Sequence, residues 1–197
     1  MEAFARRVNG QLDRLEIDHA VIAGLSLGGY VTFAVIRQRP ERATALILAD
    51  TRCGADSDEG RAGRLRMLGI LEQKGPPGVF EDMRPKLFGK TTHVGRPDVV
   101  AAAKEMSESQ KPGAIEDSIR AMLERPDCTP LLATVRVPTL ILVGEEDTLT
   151  PPAESERMQR EIRGSTLIRI QGAGHLSSLE DPAAFNAAVN VFLKTLH

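Results

Sequence analysis

Tryptophan is absent from this 197-residue sequence, tyrosine occurs once and phenylalanine six times. So few rings leave little from which to build a base-stacking platform or an aromatic-lined carbohydrate or cofactor cleft. A basic surplus is missing too: 25 Lys and Arg stand against 27 Asp and Glu, a net charge of −2. Nothing is left over to neutralise phosphates, which excludes a nucleic-acid partner on electrostatic grounds. Only two cysteines are present, Cys53 and Cys128, too few for a disulfide framework and not spaced as metal ligands. No metal or organic cofactor is implied. The longest apolar runs, such as Leu46–Ala49 and Thr139–Val143, fall far short of the roughly 18 residues that a membrane span needs. The opening stretch MEAFARRVNGQLDRLEID has no apolar core of a secretory signal. The expectation is a cytoplasmic globular protein of one domain with an inserted subregion, without a membrane or nucleic-acid partner. Its 42% hydrophobic and 26% charged residues suit an ordinary folded chain.

What is present is a series of short apolar runs bounded by turn residues. These are His19–Leu25, Ala43–Ala49, Thr139–Val143 and Ser165–Ile170. The first three lack polar alternation, the pattern of parallel strands buried on both faces. The fourth is interrupted by Thr166, Arg169 and Gln171 and reads as an edge strand. Helical patterns separate them: Gly28 to Gln38, Pro152 to Arg163 with Met158 and Ile162 inward, and a last helix capped by Asp181 with Pro182 in its first turn. In that helix Phe185, Ala188, Val189, Phe192, Leu193 and Leu196 form one stripe. Strand–helix alternation implies an α/β fold with a mostly parallel sheet of about four strands and helices on both faces.

Between Gly54 and Pro130 the strand signal vanishes. Helical stretches over Glu59–Lys74, Gly78–Phe88, Pro97–Gln110 and Pro112–Glu124 are punctuated by proline and glycine. Such an insertion, spanning 56–129 between core segments 1–55 and 130–197, is expected to sit as a cap over the carboxyl ends of the strands, where α/β folds bind ligands. The Arg-rich segment Arg61–Arg66 reads as a solvated helix face.

The first strand ends in Gly24-Leu25-Ser26-Leu27-Gly28-Gly29, a G-x-S-x-G with a third glycine, and leads directly into a helix. That pattern makes a tight turn that lifts one side chain to the top of the sheet, with flanking glycines where backbones pass closely. The Ser26 hydroxyl would stand clear. The Leu27 N–H and the positive end of the following helix would face the point where an oxyanion forms. A serine needs a base, and four histidines are available. His197 ends the sequence, His19 opens the first strand at the wrong end, and His93 lies in the insertion. His175, in Gly172-Ala173-Gly174-His175-Leu176 after the last strand, comes to the same sheet end as Ser26. An acid must orient the base. Asp147 follows the third strand, with Glu145 and Glu146 as competitors and Asp50 as a second candidate site. Asp147 is favoured, giving the order Ser, Asp, His expected of a hydrolase built on an α/β sheet.

Val21–Tyr30 (VIAGLSLGGY), Val137–Asp147 (VPTLILVGEED) and Gly172–Pro182 (GAGHLSSLEDP) resemble the elbow, acid strand and histidine loop of the α/β-hydrolase superfamily. Thr150-Pro151-Pro152, His175-Leu176-Ser177-Ser178 and Ala183-Ala184-Phe185-Asn186 are similar to its esterase and enol-lactonase branch. The resemblance implies Ser26 as nucleophile, Asp147 as acid, His175 as base and Leu27 as one oxyanion donor. It also implies a serine hydrolase that cleaves carboxylic esters or lactones, and the lack of tryptophan with an aliphatic pocket leads to the expectation of short acyl chains. Leu149 and Leu176, with Met67, Ile70 and Leu71 of the insertion, are the expected pocket lining. The sequence departs from the family in one respect. The four strands usual before the elbow, and the loop that donates a second oxyanion N–H, are lacking, so the fold reads as a truncated α/β-hydrolase. The elbow strand then becomes an apolar edge, from which a homodimer or higher homo-oligomer is expected. A catalytically weak or inactive hydrolase-like binding protein is the alternative.

Overall fold

The computed structural model describes residues 1–196. In chain order the elements are α1 (Glu2–Arg14), β1 (Ala20–Leu25), α2 (Leu27–Gln38), β2 (Ala43–Ala49), α3 (Asp58–Leu87), α4 (Lys90–Gly95), α5 (Pro97–Glu108), α6 (Pro112–Leu123) and α7 (Thr129–Leu132). After these come β3 (Thr139–Gly144), α8 (Pro152–Glu161), β4 (Thr166–Ile170), α9 (Ser177–Glu180) and α10 (Pro182–Lys194). The strands form one parallel sheet in the order β1-β2-β3-β4. A parallel sheet in sequence order gathers the carboxyl ends of all four strands along one rim. The loops beginning at Ser26, Asp50, Glu145 and Gln171 therefore meet there.

Period-two geometry divides the buried strand residues between two layers. Leu46, Leu48 and Ile141 face Phe33 and Ile36 of α2 and Met158 of α8. Ala45, Ile47, Leu140 and Leu142 face Ala188 and Phe192 of α10. Both faces being covered, β2 and β3 must be apolar throughout, and each fully buried leucine or isoleucine contributes about 1.5–3 kcal/mol. β1 departs from that expectation: Ala23 is exposed and most of the strand only half-buried, because β1 has a neighbour on one side only. β4, expected to be an edge, is one.

The α10 stripe packs on the sheet as its spacing predicts. Asp181 accepts from the Ala184 N–H at 3.0 Å, which caps the helix. Only helices lie between β2 and β3. α3 is interrupted at Gly75, where φ is +64°. Gly75, Pro76 and Pro77 thus break α3 into separate helical segments at the expected position. The short helices α4, α7 and α9 carry no periodicity long enough to be predicted. No helix among the described residues is long and apolar enough to cross a membrane.

Candidate active site

The turn from β1 into α2 puts Ser26 at φ +51° and ψ −112°, a conformation that costs an L residue about 1–3 kcal/mol. The surroundings impose it. The Ser26 N–H donates to the Ala49 carbonyl at 2.9 Å, and the Ser26 carbonyl accepts from Gly29 N–H at 2.9 Å and Thr51 Oγ1 at 2.8 Å. A Cβ on Gly24 would lie 2.2 Å from the Gly28 carbonyl carbon, and one on Gly29 2.4 Å from Thr51 Oγ1. On Gly28 it would meet nothing within 4 Å. The close approach therefore demands Gly24 and Gly29, and the second glycine of the G-x-S-x-G pattern is not sterically required. Leu27 is the first residue of α2, so its amide is among those a helix start leaves without an intrahelical acceptor.

His175 Nε2 lies 2.8 Å from Ser26 Oγ, and Nδ1 lies 2.9 Å from Asp147 Oδ2. A carboxylate can only accept, so Nδ1 carries the proton and leaves Nε2 to accept from the Ser26 hydroxyl. Asp147 also accepts from the amides of Leu149 (2.8 Å) and Thr150 (2.9 Å) and from the Thr150 hydroxyl (2.6 Å). Burial alone would raise the Asp147 carboxyl. The hydrogen bond and electrostatic attraction of His175, with the Thr150 bonds, outweigh it and hold the group below its ordinary range. Thr150 Oγ1 lies 3.2 Å from His175 Nδ1 as well, a contact that no feature of the local sequence singles out.

Of the competing acids, Glu145 is exposed, and Glu146 and Asp50 have other partners. Glu146 accepts from the Thr91 amide and hydroxyl at 2.9 and 2.8 Å. Asp50 is fully buried; one oxygen accepts from the Gly144 N–H at 2.9 Å and the other from the amide and hydroxyl of Ser177. Burial pushes its carboxyl up to about 7 against those bonds. Asp50 therefore braces the chain just after His175 rather than meeting the ring. Glu180, at the end of α9, accepts from the amides of Gly89, Gly174 and Leu176 at 2.8, 2.9 and 3.1 Å. It ties the chain just beyond α3 to the histidine loop, where a Cβ on Gly174 would lie 2.2 Å from Gly89 N. Of the remaining histidines, His19 Nδ1 donates to the Glu41 carbonyl at 2.9 Å and His93 packs edge-on to Phe88. His197 lies outside the described residues.

A cavity of about 350 Å³ opens over Ser26 and His175. Leu27, Leu149 and Leu176 line it, as does Met67. Ile70 and Leu71 do not; they pack with Ile115 and Ile119 in the cluster between α3 and α6, their side of α3 being turned to another helix. Val79, Met83, Leu87, Ile115 and Met122 of the inserted helices complete the apolar wall. Arg52, Arg64 and Tyr30 also reach the cavity. Arg61 and Arg66 are exposed as a solvated helix face requires, whereas Arg64 is partly buried. Among the described residues no three His, Cys, Asp or Glu side chains are grouped as a metal ion needs.

Residues 2–188 match the model of the alpha/beta hydrolase family, and the chain belongs to that family. It is 29% identical to 3-oxoadipate enol-lactonase 2 of Acinetobacter baylyi, covering 93% of this chain and 67% of the lactonase. It is 28% identical to a pimeloyl-[acyl-carrier protein] methyl ester esterase of Neisseria meningitidis, covering 98% of this chain and 62% of the esterase. The fold superimposes on a thermophilic esterase from Thermogutta terrifontis, solved with malate bound, with a TM-score of 0.95 and 37% identity. That match covers all of this chain and 72% of the esterase. The chain thus spans roughly two thirds of the length of these relatives.

Proposed function

We propose that this member of the alpha/beta hydrolase family cleaves short-chain carboxylic esters or lactones through an acyl-enzyme intermediate. One observation carries the reading: the buried chain of hydrogen bonds from Ser26 Oγ through His175 to Asp147, at 2.8 and 2.9 Å. The relatives named as esterases and an enol-lactonase support the substrate class. In this reading Ser26 Oγ attacks the carbonyl carbon while its proton passes to His175 Nε2. The Leu27 N–H, at the positive end of α2, holds the developing oxyanion. The C–O bond to the leaving alkoxide then breaks and the alkoxide takes the proton from His175. From a lactone that alcohol stays tethered to the acyl group. Water, activated by the same Nε2, attacks the acyl-enzyme, returns the proton to Ser26 and releases the acid. Asp147 does not change protonation; it fixes the ring and offsets the imidazolium charge. Residues 56–129 act as a cap that shapes the pocket over the core of 1–55 and 130–197.

Hydrolysis of p-nitrophenyl acetate and butyrate by the wild type and Ser26→Ala tests the reading. Removing the nucleophile of such a unit lowers kcat by about 10⁴-fold or more. Equal rates from both proteins overturn it.

A further inference from the structure

Three guanidinium groups share one carboxylate beside the cavity. Asp56, its side chain 2% exposed, accepts from Arg52, from Arg125 at 2.7 Å and from Arg64 Nε at 3.3 Å. Among the described residues these three arginines form ion pairs with Asp56 alone. Asp127, which also senses Arg125, is exposed and accepts from the amide and hydroxyl of Thr129. The cluster thus carries a surplus of positive charge in a place largely withdrawn from water, an arrangement that is costly unless an anion completes it.

The three cations are not equivalent. Arg125 is committed to structure: it stacks 4.2 Å from the Tyr30 ring centroid and donates to the Gly54 carbonyl as well as to Asp56. Arg52 and Arg64 line the same cavity as Ser26 and His175. Arg52 Nε and Arg125 Nε are both closed off from solvent without a hydrogen-bond partner, so an anion in the cavity would meet the outer guanidinium nitrogens. Arg52 also interacts with the Tyr30 hydroxyl, which relates it to Ser26 along α2. Tyr30 is four residues beyond Ser26, one turn of α2, or about 5–6 Å along the helix. Arg52 follows Thr51, whose hydroxyl is 2.8 Å from the Ser26 carbonyl. Met67, Val79, Met83 and Ile119 supply an apolar wall to the same cavity.

We propose that this cavity selects esters or lactones bearing a second, anionic group, a carboxylate or phosphate oxyanion separated from the scissile carbonyl by a short aliphatic spacer. Arg52 and Arg64 hold that oxyanion. The guanidinium fork matches either anion, and a charge-assisted bond in a partly dry site is worth more than one in water. This inference rests on the ester- or lactone-cleaving reading for its reaction, but not for its binding.

Two experiments separate the two readings. By calorimetry, Ser26→Ala binds glutarate or butyl phosphate at least tenfold more tightly than neutral dimethyl glutarate. Replacing Arg64 or Arg52 by Gln in that background removes about 10- to 100-fold of the preference, with Arg64→Lys restoring part of it. Glutarate alone showing the preference assigns a carboxylate, and butyl phosphate alone assigns a phosphate. In turnover, wild type favours monomethyl glutarate over its neutral isostere methyl pentanoate, and Arg64→Gln lowers that ratio at least tenfold. Neutral and anionic compounds binding alike to Ser26→Ala overturns the proposal, as does an unchanged ratio in the arginine variants. Anion binding without Ser26-dependent turnover of any ester leaves the anion site standing and sinks the hydrolase reading instead.

Discussion

At the rim of the sheet, Ser26, Asp147 and His175 are held by main-chain hydrogen bonds and by glycines with no room for a methyl group. Across the cavity, α3 and α6 contribute Met67, Met83, Ile115 and Met122, whose positions depend on side-chain packing between helices. The first wall sets geometry closely, because each functional group sits only a few residues beyond a buried strand. The second sets shape and charge. Methionine fills irregular space and adapts, so this wall can change without disturbing the other. Two carboxylates join the walls, Glu146 to Thr91 and Glu180 to Gly89. In the proposed function, chemistry and selectivity are thus built from different materials and fastened at few points.

A change at Asp147 should injure the rim most severely. Asp147→Asn keeps the shape of the site but removes the acceptor that fixes the His175 tautomer. Steady-state kinetics on p-nitrophenyl acetate should show kcat down by about 10⁴-fold, near 5.5 kcal/mol, with little change in folding.

Asp50 probes the rim through stability. Its carboxyl titrates at about 7 in the folded protein and near 3.9 in an unfolded chain. Between those values the folded state holds the proton more firmly, so this group's contribution to stability falls as pH rises from about 4 to 7. At about 1.4 kcal/mol per unit of pKa difference, the fall amounts to a few kcal/mol. Denaturation midpoints between pH 4 and 7 should decline less steeply for Asp50→Asn than for wild type. Parallel slopes would remove Asp50 from the account.

The helical wall should respond most gently. Met83→Ala enlarges the cavity away from Ser26, so kcat/KM for p-nitrophenyl butyrate relative to acetate should rise, by no more than about tenfold, the worth of one or two methylenes. A fall of kcat on both substrates alike would mean that the helices act on the chemistry after all.

How much of this could be read from the sequence depended on distance along the chain. Gly24 to Gly29, Asp147 and His175 were legible because each lies in a local pattern of buried strand, glycine and turn. The adjoining roles were not. Asp50 bonds Ser177 across 127 residues, Glu180 bonds Gly89 across 91, and Arg125 bonds Asp56 across 69. No periodicity links such positions. Arg64 reads as solvated because its neighbours in Arg61–Arg66 do, and Ile70 and Leu71 read as pocket lining because an apolar helix face does not say which neighbour it meets.

The order of residues alone therefore dictates the parallel sheet, the tight turn at Ser26 and the end of the sheet where acid and base would arrive. Apolar runs buried on both faces and glycines beside a serine at a strand-to-helix turn leave few other solutions. Folding in three dimensions decided the rest: which carboxylate meets His175, which braces the loop behind it, and that three arginines crowd one aspartate beside the cavity over Ser26. Those outcomes depend on how the inserted helices fold back over the rim, and burial and charge there are set by neighbours that the chain order keeps far apart.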